Sequence, residues 1–587
     1  MDFGKIEDIA ENDVFISAKN AAVCRQKWIK KIRFPDDAAC IQDQDKLLNR
    51  QESTAETAQK DEEDEFIRIC INEPIGKKVF NEFCEKESRD VQNTLKFLAD
   101  MTKFEMTDAN DMHKFLVKIS SLYFQKDSTY ELVFVKEETK EKVLFLRKDK
   151  RLIYLVTTGV VGNDRLTDLA RKSVSDCKSE ALSGILQDAF PRYKNSENFK
   201  KYLKWKHLEK QPVTNDCFTK FRLLGRGGFG EVYAYQENIT GTMYACKQIN
   251  KKQMKATGSE SIVLIEKLVL EKINSRFVVT LYYAYHDKTC LNLVMMLLTG
   301  GDLKFHVKKD KKNKGVNKER CKLYAAQITV GIDHLHKHNI IYRDMKPENV
   351  LLDGKGNCRI ADLGLARILQ EGEKITGKAG TIGYMPPEML MKQPYAYGAD
   401  WFALGCTIYE MCEGRNPFFV RDKVSKKMDQ QKTIEKTCQT KESYKRDHSK
   451  DLIDLIGKLL EKNVEDRLAK DEKSAHEIRN HPYFSDMDWE KLEAGEIQPP
   501  FVPNDKEVYA DDVSDIRLKS YAKNVKLDEK DEEFYERFST GRNPIPWQQE
   551  ILDSGTYEDI MNQEANKNVD TGANSTKKKS SKICTVL

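Results

Sequence analysis

The chain has 587 residues and a mass of 67.9 kDa, with 98 basic against 94 acidic residues and a net charge of +4. This balance argues against nucleic acid as a partner, because nucleic-acid binding needs a clustered basic surface. The 14 cysteines show no regular framework, and no apolar run approaches the ~18 residues of a membrane span. We therefore expect a globular protein of the reducing cytosol whose membrane contact is peripheral.

The N-terminal half carries mainly helical patterns. Residues 1–18 place Ile6, Ile9 and Phe15 among acidic residues, which predicts a short amphipathic helix, although such a stretch can also pack into a core. Residues 41–66 are polar and indicate a linker or the start of a helix. From Ile67 to about Trp205 apolar residues recur at helical spacing, which predicts a bundle of helices.

A glycine-rich motif, G-x-G-x-x-G-x-V, opens the next region, where strand patterns begin at about Phe218. Glycines let a turn approach phosphates and offer them backbone N–H groups. Alone, the motif also fits a dinucleotide-binding turn or a plain glycine turn. The residues of the motif are Gly225, Arg226, Gly227, Gly228, Phe229, Gly230, Glu231 and Val232.

A strand with a lysine follows the glycine motif. Ala245 and Lys247 lie in the segment YACK, and the helical pattern that returns after Asn250 supplies Glu266 as a candidate ion-pair partner for Lys247. A lysine in a strand is commonly a solvated edge charge, so the assignment depends on what comes later in the chain.

Two acidic motifs support the assignment of Lys247 to phosphate binding. The segment YRDMKPEN contains Asp344 and Asn349, and DLG begins at Asp362. Phosphoryl transfer needs an acceptor for the proton of the substrate hydroxyl, and oxygen ligands that hold Mg²⁺ against the phosphates. The three residues occur at the spacing of these roles.

In this order, from the glycine motif to the segment HPYF at 481–484, the motifs resemble the protein kinase catalytic domain. The resemblance implies that ATP and Mg²⁺ are bound and assigns the roles. Lys247 would hold the α- and β-phosphates with Glu266 fixing it, Asp344 would be the catalytic base, Lys346 would steady the γ-phosphate, and Asn349 and Asp362 would bind Mg²⁺. The adenine hinge is expected near Met296 and Leu298, and Asp302 is expected at the ribose.

The loop also indicates the substrate class. Lys346, two residues after the base, is typical of serine/threonine kinases. Three residues depart from the family pattern, Tyr342 in place of histidine, Leu363 in place of phenylalanine and Pro386 in place of alanine, but none of them removes a metal ligand or the base. Glu388 has Arg467 as a candidate buried partner. We therefore expect an active enzyme.

The segments before and after the kinase-like region indicate which group of kinases the chain resembles. The segment INEPIGKKVFNEF at 71–83 resembles the opening of a regulator-of-G-protein-signalling homology domain, and PPFVP at 499–503 resembles the C-terminal tail of AGC kinases. PIPW at 544–547 resembles an extension of that tail, and MDFG at 1–4 the start of an N-terminal helix. Together they resemble a G protein-coupled receptor kinase. The helices could alternatively form an ordinary scaffold bundle.

The last eleven residues, KKKSSKICTVL, carry a separate signal. Cys584-Thr585-Val586-Leu587 fits the C-a-a-X prenylation motif, and a terminal leucine favours geranylgeranylation. One lipid anchors weakly, and each lysine near an anionic leaflet adds roughly 1 kcal/mol. The motif predicts a lipid anchor on the cytoplasmic face of a membrane, and within the family it resembles the opsin-directed branch. The supporting lysines are Lys577, Lys578, Lys579 and Lys582.

The sequence thus predicts an α+β protein, with a bilobal kinase domain of antiparallel β small lobe and α-helical large lobe joined to an all-α regulator-of-G-protein-signalling homology bundle. The resemblance implies an activated G protein-coupled receptor as substrate, with opsins as one candidate, and allows a G protein α subunit as a partner. The predicted segments are an N-terminal helix at 1–20, a linker at 21–60, the helical domain at 61–210, the kinase domain at 218–484, the AGC tail at 485–550 and a flexible polybasic prenylated tail at 551–587.

Two other classes of function stay open at this point. One is a binding module that captures a G protein α subunit, with kinase activity secondary. The other is an AGC kinase with unrelated soluble substrates. Activation is expected to come from an external partner, because the segment from Asp362 to Glu388 contains no serine and only Thr376 and Thr381 as threonines.

Overall fold

A computed structural model describes most of the chain, and its residues group into two compact units. One unit covers residues 32–211, and the other contains residues 212–587. No helix in these described ranges is both long and apolar enough to cross a bilayer. The described residues are 28–29, 32, 34, 55–105, 112–125, 128–148, 164–226, 230–309, 315–422, 425, 427–471, 474–504 and 525–563.

Every secondary-structure element that the structure describes in the first unit is a helix, as the periodicity predicts. Two of its helical segments widen into π-helix, at Ile67–Asn72 and Ser120–Phe124, each joined to an α-helix on its N-terminal side. The α-helices are α1 (Ala55–Phe66), α2 (Pro74–Cys84), α3 (Arg89–Glu105), α4 (Met112–Ile119), α5 (Glu137–Arg147), α6 (Asp164–Gln187), α7 (Ala189–Lys194) and α8 (Glu197–Lys210).

The segment INEPIG has a clear structural use in this unit. Buried Glu73 accepts hydrogen bonds from Tyr202 (3.0 Å) and Lys206 (3.3 Å), both on α8. Gly76 packs against the π-helical turn so closely that an added Cβ would lie 2.0 Å from the carbonyl oxygen of Ile69. Because a buried carboxylate is costly without such partners, the motif fixes α8 against the start of α2.

The second unit begins with a twisted sheet. Its strands run in the order β1-β2-β3-β5-β4-β10 and all pair antiparallel. In β3, half-buried and buried residues alternate from Met243 to Cys246, which is typical of a strand that uses one face for the core, whereas four of the six residues of β4 are buried. The strands are β1 (Phe218–Arg226), β2 (Glu231–Glu237), β3 (Met243–Asn250), β4 (Leu281–His286), β5 (Cys290–Met296) and β10 (Gly541–Arg542), and two helices follow β3, α9 (Lys251–Thr257) and α10 (Glu260–Lys272).

A helical lobe follows the sheet. Its centre is α14 (Gly398–Glu413), in which every residue is buried, packed against α12 and α16. Two short antiparallel pairs, β6 with β9 and β7 with β8, carry the catalytic-loop region. The remaining elements are α11 (Leu303–Lys309), α12 (Lys318–Lys337), β6 (Ile340–Ile341), β7 (Val350–Leu352), β8 (Cys358–Ile360), β9 (Arg367–Ile368), α13 (Pro387–Leu390), α15 (Gln430–Gln439), α16 (Lys450–Leu459), α17 (Ala475–Arg479) and α18 (Trp489–Ala494).

The chain then returns to the sheet. Helix α19 (Glu529–Phe538) packs against β4, β10 extends the edge of β4, and α20 (Pro544–Asp553) packs against β4 as well. A further helical stretch covers residues 556–563. The predicted boundary of the flexible tail at 551 is therefore wrong for residues 551–563, because Ile551, Tyr557 and Ile560 are buried apolar side chains that hold this stretch in the fold.

Candidate active site

One face of the sheet carries the residues expected at the nucleotide. Lys247 pairs across the sheet with Val232 on one side and Leu293 on the other, and Ala245 pairs with Met295. Directly paired residues, and residues two apart in a strand, share a face. Val232, Ala245 and Lys247 therefore lie on one surface of the small lobe.

Three contacts hold the two ends of the glycine motif in place. Arg226 Nε donates to Glu231 Oε1 over 2.9 Å. Gly225 pairs with Val232, and an added Cβ at Gly230 would lie 2.1 Å from the carbonyl oxygen of Gln248 in β3. Any larger residue at Gly230 would therefore push β2 away from β3.

Lys247 joins the small lobe to Asp362, one of the predicted metal ligands. Its Nζ lies 2.5 Å from Glu266 Oε1 on α10 and 3.5 Å from Asp362 Oδ1. Burial alone would lower the pKa of Lys247, but the two carboxylates outweigh burial and raise the pKa above its ordinary value. The expected ion pair with Glu266 is present, and Lys247 stays charged where it could meet phosphate oxygens.

A second cluster surrounds Asp344. Lys346 Nζ lies 2.7 Å from Asp344 Oδ2, and the amide nitrogen of Asn349 donates to the same oxygen over 2.9 Å. Thr381 donates to Asp344 Oδ1 over 2.8 Å and accepts from Lys346 Nζ at the same distance. The carboxylate is thus held by groups from both the catalytic loop and the activation segment.

The two predicted metal ligands are neighbours in the fold. Strands β7 and β8 pair Val350 with Ile360, and the N–H of Ala361 donates to the carbonyl of Asn349 over 2.8 Å. This register places Asp362 beside Asn349. The Asp362 side chain is 58% exposed, and the amide nitrogen of Asn349 is used by Asp344, which leaves the amide oxygen to face a cation. A carboxylate and an amide oxygen fit a hard divalent cation.

Asp362 and Arg343 both have a strained backbone. Their φ angles are +53° and +71°, in the left-handed region that costs a residue with a Cβ of order 1 kcal/mol or more. Arg343 is held in place by Asp400, whose carboxylate accepts from the N–H groups of Tyr342 (2.8 Å) and Arg343 (2.7 Å). The surrounding contacts therefore impose the shape of the loop.

Asp400 is a residue that the sequence reasoning missed. It is fully buried on α14 and also contacts His336 Nε2 at 2.8 Å. A single carboxylate in the first turn of the apolar helix GADWFALG is the signal that could have found it, because a buried acid needs partners. Its role is to position the catalytic loop.

The three departures from the family pattern are accommodated by packing. Tyr342 is fully buried and donates to the carbonyl of Ala361 over 2.6 Å, and burial raises the pKa of its phenol, so that it stays a neutral donor. Leu363 is fully buried in the core, and Pro386 is the N-cap of α13. Tyr342 and Leu363 thus belong to the core beside the two acidic motifs.

The predicted partner of Glu388 is also confirmed. Arg467 binds both carboxylate oxygens of Glu388, over 2.7 and 3.0 Å, and both side chains are buried. This bidentate pair ties the end of the activation segment to the helical lobe.

The residues expected at adenine and ribose lie at the junction of the lobes. Met296 is the last residue of β5, and its N–H donates a hydrogen bond to the carbonyl of Thr280. Leu298, two residues later, is half-buried. Asp302 Oδ1 accepts from the N–H of Phe305 over 2.8 Å, so it caps α11. Contact of these three residues with a nucleotide remains a prediction.

The activation segment contacts the catalytic loop at two places. Arg343 Nε donates to the carbonyl of Leu365 over 2.7 Å, and Gly380 lies so close to the catalytic loop that an added Cβ would be 2.3 Å from the carbonyl oxygen of Arg343. Thr376 is exposed. These contacts join the activation segment to the catalytic loop, and the expectation that Arg343 needs no phosphorylated partner stays a prediction.

Several predicted features fall outside the described residues. They are Gly227, Gly228 and Phe229 of the glycine motif, the N-terminal helix at 1–20, most of the linker at 21–60, and the polybasic end with Lys577, Lys578, Lys579, Lys582 and Cys584.

Comparison with known families identifies both units. The protein kinase domain family matches residues 218–484, and the regulator of G protein signaling domain family matches residues 65–202. Since the second match lies within the helical unit and the first spans both lobes, the two units correspond to two known domains.

Curated relatives match almost the whole chain. A rhodopsin kinase of Xenopus laevis is 39% identical over 526 residues, which cover 89% of this chain and 90% of the relative. A rhodopsin kinase of Homo sapiens is 36% identical over 596 residues and covers 100% of both chains. The G protein-coupled receptor kinase 4 of Rattus norvegicus is 34% identical over 560 residues, 95% of this chain and 91% of the relative.

Proposed function

The chain belongs to the G protein-coupled receptor kinases, and on that premise we propose that it transfers the γ-phosphate of ATP to serine and threonine hydroxyls of activated receptors, opsins among them. It is a protein kinase, and like protein kinases in general it uses ATP with a divalent metal. The proposal goes further in naming opsins as a substrate, Mg²⁺ as the metal and the role of each residue.

The cluster around Asp344 supports the proposed chemistry. Asp344 accepts the proton of the substrate hydroxyl as its oxygen forms a bond to the γ-phosphorus, while the bond from that phosphorus to the bridging oxygen breaks and ADP leaves with the electron pair. Lys346 and Thr381 orient the Asp344 carboxylate and limit its rotation. Lys346 also offers positive charge beside the developing negative charge of the transferred group.

The nucleotide and metal are assigned to the neighbouring residues. Lys247, fixed by Glu266, binds phosphate oxygens, and the glycine-rich motif is assigned to the same phosphates through its backbone N–H groups. Asn349 and Asp362 are the residues that would hold Mg²⁺, which when bound neutralises charge on the phosphates. The fit rests on a carboxylate and an amide oxygen that the register of β7 and β8 brings together.

The observation that carries the proposal is the pairing of this assembled kinase centre with a regulator-of-G-protein-signalling domain in one chain. The test compares three substrates at equal concentration: an opsin in membranes, a second receptor with its agonist, and a soluble serine peptide. We expect phosphorylation of both activated receptors to exceed that of the peptide. A peptide that was phosphorylated as fast as either receptor would favour an AGC kinase with soluble substrates instead.

Membrane attachment is part of the proposal. Cys584 carries a geranylgeranyl group, and the four nearby lysines add electrostatic attraction to an anionic leaflet on the cytoplasmic face. Cys584→Ser is expected to move the protein off membranes and leave phosphorylation of a soluble peptide unchanged, because the lipid raises local concentration only. Mass spectrometry of the protein from eukaryotic cells checks the premise, and an unmodified C-terminus would contradict it.

The helical domain favours a second candidate function. A match to the regulator of G protein signaling domain over residues 65–202 favours binding of a G protein α subunit. Measurement of binding between the full chain and α subunits in their nucleotide states would decide this. Tight binding together with negligible kinase turnover on any receptor would make capture of the α subunit the principal function.

A further inference from the structure

A charged cluster that catalysis does not use lies next to the catalytic loop. Lys304 Nζ on α11 lies 2.5 Å from Glu410 Oε1 on α14 and 3.2 Å from Glu348 Oε1 in the catalytic loop. Tyr384 of the activation segment donates to the second oxygen of Glu410 over 2.5 Å and lies 3.5 Å from Lys304 Nζ. We call these four residues the Lys304 cluster.

Burial within the Lys304 cluster is uneven. The Glu410 and Lys304 side chains are 3% and 15% exposed, whereas Glu348 is 42% exposed. Burial alone would lower the pKa of Lys304, but the carboxylates of Glu410 and Glu348 reverse this effect and raise the pKa. The two carboxylates therefore favour the charged form of Lys304, and Glu348 is the part of the cluster that solvent or a substrate can reach.

The cluster borders the place where a substrate hydroxyl must arrive. Glu348 is two residues after Lys346, and Tyr384 is three residues after Thr381, and both of those preceding residues contact the Asp344 carboxylate. A peptide with its acceptor hydroxyl at Asp344 therefore passes its neighbouring residues close to Glu348.

The charges of the Lys304 cluster affect which residues beside the acceptor serine or threonine are favoured in a substrate. Two carboxylates without Lys304 would form a strongly acidic site that attracts arginine or lysine of a substrate, since close charge pairs at interfaces contribute strongly to affinity and specificity. With Lys304 bound to both, most of that attraction is already satisfied inside the protein.

We propose that Lys304 is a specificity-determining residue that neutralises Glu348 and Glu410, so that this kinase does not select basic residues beside the acceptor serine or threonine. The inference rests on the proposed function and adds a substrate class to it: receptor segments that are neutral or acidic around the acceptor. In a purely structural role, Lys304 would only stabilise buried Glu410, and its loss would lower stability without changing the preference among substrates.

The test measures kcat/KM of the full-length protein on paired soluble peptides. Each pair shares one acceptor serine and differs by a single arginine or glutamine, placed in turn at each neighbouring position on either side. For Lys304→Met we expect the arginine-to-glutamine ratio to rise about tenfold or more at one or more positions. Lys308→Met, which removes an exposed lysine of the same helix, is the matched control and should leave every ratio unchanged.

Two further variants keep the test decisive if Lys304→Met folds poorly. Glu348→Gln leaves Lys304 with one carboxylate, and it should favour peptides with a glutamate beside the acceptor by several-fold over wild type. In the triple variant Lys304→Met, Glu348→Gln and Glu410→Gln, the gain for arginine should disappear. Ratios that stayed at the wild-type value in both Lys304→Met and Glu348→Gln would overturn the inference.

The wild-type protein separates this inference from the proposed function. If it phosphorylated neither peptides nor receptors, the proposed function would fail and the inference with it. If it were active, and already preferred arginine as strongly as Lys304→Met does, only the role of Lys304 would be overturned.

Discussion

At the scale of single residues, Asp362 combines two features that rarely occur together in a residue of purely structural role. Its backbone is strained, with φ at +53°, and its carboxylate is 58% exposed, although Lys247 lies within 3.5 Å. Strain of this kind persists only where the surrounding structure imposes it and is common at functional sites. Asp362 is thus positioned for a partner that has to arrive from solution.

The first prediction concerns this carboxylate. Asp362→Asn removes the negative charge that would bind the metal while keeping the shape of the side chain, so kcat should fall by about 100-fold or more. The measurement is kcat at saturating ATP and Mg²⁺. Asp451→Asn, at an exposed carboxylate in the first turn of α16, is the matched control and should keep wild-type activity. Near-normal kcat in Asp362→Asn would show that the metal assignment is wrong.

How far the site could be predicted depends on how local each signal is. Lys247, Asp344 and Asp362 lie in short motifs whose spacing follows from the chemistry, and their neighbours in sequence identify them. Asp400 and Lys304 act on the loop from α14 and α11, tens of residues away in sequence. Such contacts depend on which helices pack together. From the sequence alone, an acidic residue or a lysine in a helical pattern is therefore interpreted as a surface charge.

At the scale of elements, the returning tail forms part of the hydrophobic core. On α19, Tyr535 and Phe538 are fully buried in the large apolar cluster, and Lys251 of α9 lies 4.0 Å above the Tyr535 ring. The start of α19 is fixed by a capping box at Asp528 and by Lys255, which lies 2.6 Å from Asp531. The small lobe is therefore complete only when the tail is in place.

Removal of a buried side chain from α19 should consequently destabilise the kinase unit. Phe538→Ala removes a fully buried ring and is expected to lower the free energy of unfolding by about 3–5 kcal/mol. Glu533→Ala, on the exposed side of the same helix, should change it by no more than about 0.5 kcal/mol. Denaturant unfolding of both variants gives the comparison, and equal stability would mean that α19 does not belong to the core.

A second tail segment covers a buried histidine. The Nε2–H of His306 donates to the carbonyl of Gly300 over 2.7 Å, and the Phe501 ring packs against the imidazole with centroids 5.2 Å apart. Gly356 approaches the same segment so closely that an added Cβ would be 1.8 Å from the carbonyl oxygen of Phe501. Burial lowers the pKa of His306 to about 4, although the bond to Gly300 acts in the opposite direction.

This pKa sets the direction of a pH effect. The unfolded chain binds a proton at His306 below pH ~6.5, whereas the folded chain resists protonation down to about pH 4, so the free energy of unfolding falls as the pH drops through this window. At pH 5 the loss from this residue amounts to up to about 2 kcal/mol relative to pH 7. We expect His306→Gln to show a smaller loss between pH 7 and 5 in denaturant unfolding. The exposed His476→Gln serves as control, and identical pH slopes for His306→Gln and wild type would contradict the prediction.

At the scale of the whole molecule, the division into a helical unit and a kinase unit followed from periodicity and motif order, because both patterns extend over many residues. The two π-helical segments and the helical residues 551–563 did not follow. A π-helix bonds residue i to i+5 instead of i+4, and over five or six residues this difference does not show in the apolar spacing. The helical tail residues include the apolar side chains Ile551, Leu552, Tyr557, Ile560 and Met561, but the burial of Ile551, Tyr557 and Ile560 depends on distant partners.

The central claim is that the centre around Asp344 phosphorylates receptors in their active state. The most direct measurement is the initial rate of phosphate incorporation from γ-labelled ATP into receptor serine and threonine, with the receptor active or inactive, for wild type and Asp344→Asn. Because Asp344 accepts the proton of the attacking hydroxyl, we predict fast incorporation only for wild type with active receptor, and a loss of at least about 100-fold in Asp344→Asn. Equal rates on active and inactive receptor, or an Asp344→Asn protein as fast as wild type, would contradict it.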